Sequence, residues 1–350
     1  MGNSLQVSVF SFTRAGARLA LRVQKILQAQ GNEVTCYAPQ QYLDVAPILV
    51  KSSGCAKDAT AAFASSKALV YIGSCGIAVR AIAPLIKHKT LDPAVLVLDE
   101  KGRFVIPLLA GHIGGANALS LLLAEPLGAQ AVLTTATDVN GLTAIDEWAE
   151  TNACDIVNLQ LAKEFAARLL DNKGIGFATD LPLVGALPKG VTAQTSGSFG
   201  LVISADENYQ PFAETLNLLP RHYCLGIGCK KGTSLVQIEA LVLPRLQAAK
   251  ISMRAIKKIC SVDLKKDELG LLLFAEKYHK PIEFFSAEAL QEAEGSFTPS
   301  ALVQRIVGVD NVCERAAVCG AKGRLVVEKT ALQGVTMAVA IDDFIIDFTK

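Results

Sequence analysis

The sequence predicts an α/β protein of more than one domain. Its sheets are layered, with helices on both faces, and its strands are mainly parallel. Three observations carry this expectation. The chain has 350 residues, more than one ordinary hydrophobic core accommodates. Hydrophobic residues make up 51% of it and charged residues 19%, a balance of buried rather than disordered chain. Short apolar runs rich in β-branched residues alternate with segments of helical period, the signature of strand–helix–strand layering.

Taken in order, "LQVSVFSF" reads as a strand and "TRAGARLALRVQKILQAQG" as a helix capped by Thr13 and stopped at Gly31. "KALVYIGS" is a buried strand, and "CGIAVRAIAPLIK" a helix that Pro84 ends or kinks. Two apolar runs flank Asp99-Glu100-Lys101-Gly102 in "AVLVLDEKGRFVIPLL", which predicts a hairpin with solvated turn acids. A glycine-rich turn, "AGHIGGAN", leads into the helix "ANALSLLLAEPLG", and "AQAVLTTATD" reads as a further strand. Helices "AIDEWAE" and "LAKEFAARLLDNKG" and strands "GIGFAT" and "FGLVIS" make a middle region, and "ENYQPFAETLNLLPRH" breaks the apolar rhythm like a linker. Beyond it, "YCLGIGC", "PIEFFS", "RLVVEKTA" and "VTMAVAID" read as strands, with "TSLVQIEALVLPRLQAAK", "KDELGLLLFAEKYHK" and "NVCERAAVCGA" as helices. The expected division is an N-terminal domain over 1–128, a smaller middle region with linker over 129–219 and a C-terminal domain over 220–350.

Composition narrows the function classes. A net charge of +1 lacks the basic excess of nucleic-acid binders. Nine scattered cysteines form no C-x-x-C pair, which argues against a zinc ribbon and for thiols in a reducing compartment. No charged-then-apolar leader opens the chain, and no apolar run reaches membrane-spanning length. "MGNSLQ" carries Gln6 where a myristoylation site needs Ser or Thr. The expectation is a cytoplasmic protein with no nucleic-acid or membrane partner.

Three glycine-rich turns invite chemistry. "GIGCKKGTS" lies between a strand and a helix, where N–H groups can hold an anion, yet it matches neither a phosphate loop nor G-x-G-x-x-G. Its two readings are a carboxylate site using Lys230 and Lys231, or a tight turn at Gly226 and Gly228 with solvated lysines. Cys75 in "GSCG" reads first as a small residue at a turn and second as a nucleophile at a helix start. His112 in "AGHIGGAN" stands evenly between a core histidine and a functional one; the glycines would let a ligand approach the backbone, and the end of a strand is where open α/β sheets bind ligands.

Together these stretches resemble a known family. The run "YIGSCGIAVRAIAPLIKHKTLDPAVLVLDEKGRFVIPLLAGHIGGANALS" is similar to the N-terminal region of the CbiG family, the cobalt-precorrin-5A hydrolases of the anaerobic cobalamin pathway. "LGIGCKKGTS", "SVDLKKDELGLLLFAEKYHKPIEFF" and "VGVDNVCERAAV" with "KGRLVVEKT" resemble its C-terminal domain, which also occurs alone as the CobE type. The resemblance implies a corrinoid substrate bearing acetate and propionate arms and a δ-lactone between a ring A acetate and C20. The implied reaction opens the lactone with water and releases C20 with its methyl as acetaldehyde, leaving cobalt-precorrin-5B. Cobalt would arrive with the substrate, so no cofactor or protein metal site is expected. Neighbouring enzymes of the pathway are the expected partners for passing intermediates on.

Set against that reaction, the residues take provisional roles. His112 is the candidate general base. N–H groups around Gly111, Gly114 and Gly115 are candidate oxyanion donors, and Asn117 would orient substrate or water. Arg80, Lys87 and Arg103 are candidates for the carboxylate arms, as is the loop of Gly226, Gly228, Lys230, Lys231, Thr233 and Ser234. Glu314 is expected to pair with Arg315 or another helix neighbour. The macrocycle is expected in a cleft between domains. Two other classes stay open: a corrinoid carrier or chaperone, which would release no acetaldehyde, and a nucleotide-dependent enzyme using 226–234.

Overall fold

The computed structural model describes residues 4–88, 91–112, 114–300, 304–305 and 308–349. Ile113 of "AGHIGGAN" and the first three residues of "MGNSLQ" lie outside these. The chain divides into two compact units, Met1–Glu147 and Trp148–Lys350.

The first unit runs β1 (Gln6–Ser11), α1 (Arg14–Ala29), β2 (Glu33–Ala38), β3 (Val50–Lys51), α2 (Cys55–Ser65), β4 (Ala68–Ile72), α3 (Cys75–Ile82), β5 (Ala94–Leu98), β6 (Phe104–Leu109), α4 (Ala116–Leu127), β7 (Gln130–Ala131) and α5 (Ala136–Val139). Its single sheet has the order β3-β2-β1-β4-β5-β6-β7. The first five strands of that order are parallel; β6 turns back antiparallel to β5, and β7 follows β6 in parallel. Side chains alternate between two cores, as the two-residue period of a strand requires. Val70, Ile72, Leu96 and Leu98 pack with α1 and α4. Leu69, Tyr71, Val95 and Val97 pack with α2 and α3. β4 and β5 are buried on both faces, which is why they read as unbroken apolar runs. Each fully buried aliphatic side chain contributes about 1.5–3 kcal/mol to this sandwich. Thr13 caps α1 as expected, its hydroxyl oxygen accepting from the Gly16 N–H at 3.0 Å.

The second unit contains β8 (Cys154–Ile156), α7 (Leu159–Leu170), β9 (Ile175–Thr179), β10 (Leu183–Val184), β11 (Val191–Ala193), β12 (Gly197–Ile203), β13 (Phe212–Pro220), β14 (Tyr223–Cys229), α8 (Leu235–Ala248), β15 (Ile256–Val262), α9 (Leu269–Lys277), β16 (Ile282–Phe285), α10 (Ala287–Gln291), α11 (Cys313–Ala321), β17 (Arg324–Leu332), β18 (Val335–Ile341) and β19 (Ile346–Asp347); α6 (Ile145–Thr151) precedes them. One sheet has the order β11-β9-β12-β13-β8 and another β16-β15-β14-β18-β17. In the latter, Leu225, Ile227, Ile259, Met337 and Val339 pack with α8 and α9. Cys224, Cys260, Val262 and Ala340 pack with α11 on the opposite face. The C-terminal tail closes on the same unit: the Trp148 indole donates to the Asp347 carbonyl at 2.9 Å, and its ring lies 4.7 Å from that of Phe348.

The α/β class with mainly parallel strands therefore holds, and two local expectations are corrected. "ENYQPFAETLNLLPRH" contains no simple linker, because Phe212–Pro220 is strand β13, with Leu216, Leu218 and Leu219 fully buried. Pro211, Glu214 and Asn217 break its apolar pattern, and Asn217 is satisfied inside by donating to the Tyr209 carbonyl at 2.9 Å. "AQAVLTTATD" yields only the two-residue β7 before the chain turns into α5. Among the described residues no helix is long and apolar enough to cross a membrane.

Candidate active site

The hairpin decides where His112 lies. Because β6 runs against β5, with Leu109 opposite Val95, its end falls at the edge where the five parallel strands begin. That corrects the expectation of the strand-end edge usual for ligands in open α/β sheets. The chain then folds tightly. Ala110 takes a left-handed φ of 55°, and its carbonyl accepts from the Ala116 N–H at 3.1 Å. The Asn117 N–H donates to the Gly111 carbonyl at 2.9 Å and the Gly115 N–H to the His112 carbonyl at 2.8 Å. The glycines are needed sterically. A Cβ on Gly114 would stand 2.4 Å from that of Ala110, and one on Gly111 would stand 2.8 Å from Asn117 Oδ1.

The turn sets His112 between two aspartates. Its Nε2 is 3.0 Å from Asp138 Oδ2, and its Nδ1 is 3.8 Å from Asp146 Oδ1. Asn117, buried at the start of α4, donates through Nδ2 to the same Asp138 oxygen at 2.8 Å and to Thr135 Oγ1 at 3.2 Å. Thr137 Oγ1 lies 3.4 Å from Nε2. A carboxylate only accepts, so the Asp138 contact assigns the proton of a neutral ring to Nε2 and leaves Nδ1 as the lone pair. Nδ1 and the Asp146 oxygen are then two acceptors too far apart for a direct bond, a spacing that suits a shared water or hydroxyl donor. The imidazole keeps 15% of its surface accessible, enough for a reactant to reach it.

The predicted companions distribute unevenly. Asn117 belongs to the site through Asp138. The Gly115 N–H is already engaged, so Gly115 is no free oxyanion donor. The Lys87 N–H donates to Asp92, just before β5 begins, which places Lys87 at the same sheet edge as His112. Arg103 stands at the opposite end of β6, roughly 20 Å away along an extended strand, and its guanidinium lies 3.7 Å from Asp99. Arg80 turns back on its own helix, donating to the Gly76 carbonyl at 3.3 Å. Asp99 is more than a solvated turn acid: it accepts from the Lys101, Arg103 and Phe104 N–H groups. Burial alone would push its carboxyl up, but these donors outweigh it and hold it below its ordinary value.

In the second unit, Gly226 and Gly228 lie within β14 rather than in a turn. A Cβ on Gly226 would fall 1.8 Å from the Cys313 carbonyl, so this glycine lets β14 press directly on α11. A Cβ on Gly228 would fall 2.7 Å from Thr336 Oγ1. The left-handed turn residue is Gly232, at φ 77°, and its N–H donates to Glu268 at 2.9 Å. Thr233 Oγ1 donates to the Lys230 carbonyl at 2.8 Å, and Ser234 forms a capping box with Gln237 at the start of α8. Both hydroxyls thus serve the loop itself. Lys230 and Lys231 border a cavity of about 530 Å³ that Lys265 and Lys329 also line. Glu314 makes no ion pair with Arg315, which binds Asp310 at 2.9 Å instead. Buried at 1% exposure, Glu314 accepts from the Thr298 and Lys329 N–H groups at 2.6 and 2.7 Å and from Asn311.

Sequence reasoning missed Asp138, Asp146, Thr135, Lys265 and Lys329. Asp138 follows His112 by 26 residues inside what reads as a strand, and no local spacing links the two.

The fold and site define a layered α/β protein whose histidine is held between two carboxylates, an arrangement able to move a proton. Comparison with known sequences specifies it further. The family described as Cobalamin synthesis G N-terminal matches residues 58–138, and Cobalamin synthesis G C-terminus matches residues 223–340. The cobalt-precorrin-5A hydrolase of Salmonella typhimurium is 35% identical over 347 residues, covering 96% of this chain and 97% of that protein. The cobalt-precorrin-5A hydrolase of Priestia megaterium is 32% identical, covering 80% and 79%. Protein CobE of Sinorhizobium is 32% identical over 120 residues, 33% of this chain and 77% of CobE. The chain belongs to the cobalamin synthesis G (CbiG) family, and its role lies in cobalamin biosynthesis.

Proposed function

We propose that the chain is a cobalt-precorrin-5A hydrolase. The observation that carries this reading is the near-full-length match to a protein of that name, at 35% identity. The carboxylate-held imidazole supplies chemistry that such a reaction needs. In the proposed sequence, His112 Nδ1 takes a proton from water as the water adds to the lactone carbonyl. The imidazolium returns that proton to the lactone oxygen as its bond to the carbonyl breaks, which leaves a hydroxyl on C20, a ring A carboxylic acid that ionises to the carboxylate, and a neutral imidazole ring. Removal of the hydroxyl proton then lets the bond from C20 to the macrocycle break. The electron pair passes to the macrocycle, which is protonated, and C20 with its methyl leaves as acetaldehyde.

Asp138 holds Nε2–H and so aims Nδ1, while Asp146 favours the imidazolium formed after each proton transfer. The Gly111 and Gly114 N–H groups remain the candidate oxyanion donors, Lys87 is a candidate for an acid arm at this sheet edge, and Lys230 and Lys231 are candidates in the second unit. The cobalt belongs to the substrate. The test is acetaldehyde release from cobalt-precorrin-5A by the purified protein. Wild type is expected to release it, and His112→Asn to do so about a hundredfold more slowly. Binding without acetaldehyde from wild type would show a carrier instead, and full activity in His112→Asn would remove the histidine from its role.

A further inference from the structure

The cavity beside β14 has a chemistry the hydrolytic step does not use. Four lysines border it, Lys230, Lys231, Lys265 and Lys329, and no carboxylate does among the described residues. Val262, Val312, Ala331 and Val335 supply an apolar wall. Its two cysteines add no negative charge, since burial raises the Cys229 thiol and pushes that of Cys313 up to about 11.

Two of the lysines are positioned by the structure around them. Gly334, at φ 87°, lacks the Cβ that would stand 2.7 Å from Lys230 Cδ, and its carbonyl accepts the Lys230 N–H at 3.0 Å. The lysine stem is thereby laid across the β17–β18 turn. The Lys329 N–H is fixed by the buried Glu314, which ties β17 to α11. Of the four, Lys265 alone forms an ion pair among the described residues, with Glu268 at 3.5 Å. Cations held around an apolar wall suit a ligand that is apolar across its body and anionic at its rim.

We propose that this cavity binds free carboxylate arms of a corrinoid and selects acid arms over esterified or amidated ones. Naming the corrinoid rests on the hydrolase reading; the preference for carboxylates rests on the lysines alone. Each ammonium offers donors and a full charge, and a neutral ester or amide forfeits the charge interaction with all of them.

The experiment is calorimetric titration of the full chain with dicyanocobyrinic acid and with its methyl ester. The acid is expected to bind at least about tenfold more tightly, the scale of a lost charge-assisted hydrogen bond. Its affinity should fall with added salt, while that of the ester should not. Lys230→Gln and Lys329→Gln should each weaken the acid about tenfold and leave the ester unchanged. Equal binding of acid and ester, or lysine variants that bind the acid like wild type, would overturn the proposal. Salt dependence is read on wild type, so a variant that fails to fold does not rescue the idea. If the acid binds as described but wild type releases no acetaldehyde from cobalt-precorrin-5A, the hydrolase reading falls and this subsite stands.

Discussion

At the scale of single residues, the site turns on one oxygen atom. Asp138 Oδ2 accepts from both His112 and Asn117, so the ring, the start of α4 and the segment after β7 are pinned at one point. Asp138→Asn offers only one accepting atom, and its amide protons oppose those of Asn117. In the Asp138→Asn protein, kcat for acetaldehyde release is expected to fall about a hundredfold with KM nearly unchanged, because the residue acts through the histidine rather than on substrate. A rise in KM alone would show that Asp138 binds substrate directly. The histidine was legible in the sequence because glycines advertise the turn around it. Its aspartate partners were not, since a contact between residues 26 apart is made by the fold and leaves no local pattern. Glu314 is hidden for the same reason. Besides nearby Asn311, its partners include the backbones of residues 298 and 329, which no helical periodicity reveals.

At the scale of elements, two turns lend themselves to measurement. Ala110 holds a left-handed backbone while Gly114 leaves the space its methyl group occupies. Gly114→Ala is expected to cost about 2 kcal/mol, the range for forced overpacking. Ala110→Gly removes both the clashing methyl and the backbone strain, so it should recover part of that loss in the double variant. Strictly additive effects in urea titrations would refute the coupling. The second turn opens α2, where Asp58 accepts from the hydroxyls of Ser52 and Ser53 and from the Ser53 N–H. Burial alone would raise the Asp58 carboxyl, but these donors outweigh it and hold it below the ordinary value. A lowered folded value means the stabilisation is present above the unfolded value, about 4, and is lost as pH falls through the folded one. The Tm gap between wild type and Asp58→Asn should therefore be open at pH 7 and close in acid below about pH 4. A gap of equal size at both ends would exclude the charge as its cause.

The same elements mark how far pattern reading reaches. Strands such as β4 and β5 were plain, because burial on both faces demands continuous apolar residues. β13 was not, since a central strand carrying Glu214 and Asn217 imitates a linker. The direction of β6 also decided more than its existence. The sequence predicts a hairpin, but its consequence, that His112 and Arg103 stand at opposite sheet edges, follows only from the register.

At the scale of the whole molecule, each unit has its own core, with one sheet covered on both faces in the first and separate clusters around β14 and β12 in the second. Such units are expected to melt as separate cooperative blocks, giving two calorimetric transitions. A single transition with equal calorimetric and van't Hoff enthalpies would contradict this. Trp148 makes the blocks distinguishable by light. It is the one tryptophan in the chain, and it sits against Phe348 in the second unit. Its emission is an optical label that nature has attached to that block alone. Loss of the second unit would register in the tryptophan spectrum, while circular dichroism follows both units, so the order in which the two blocks melt can be read without adding a probe.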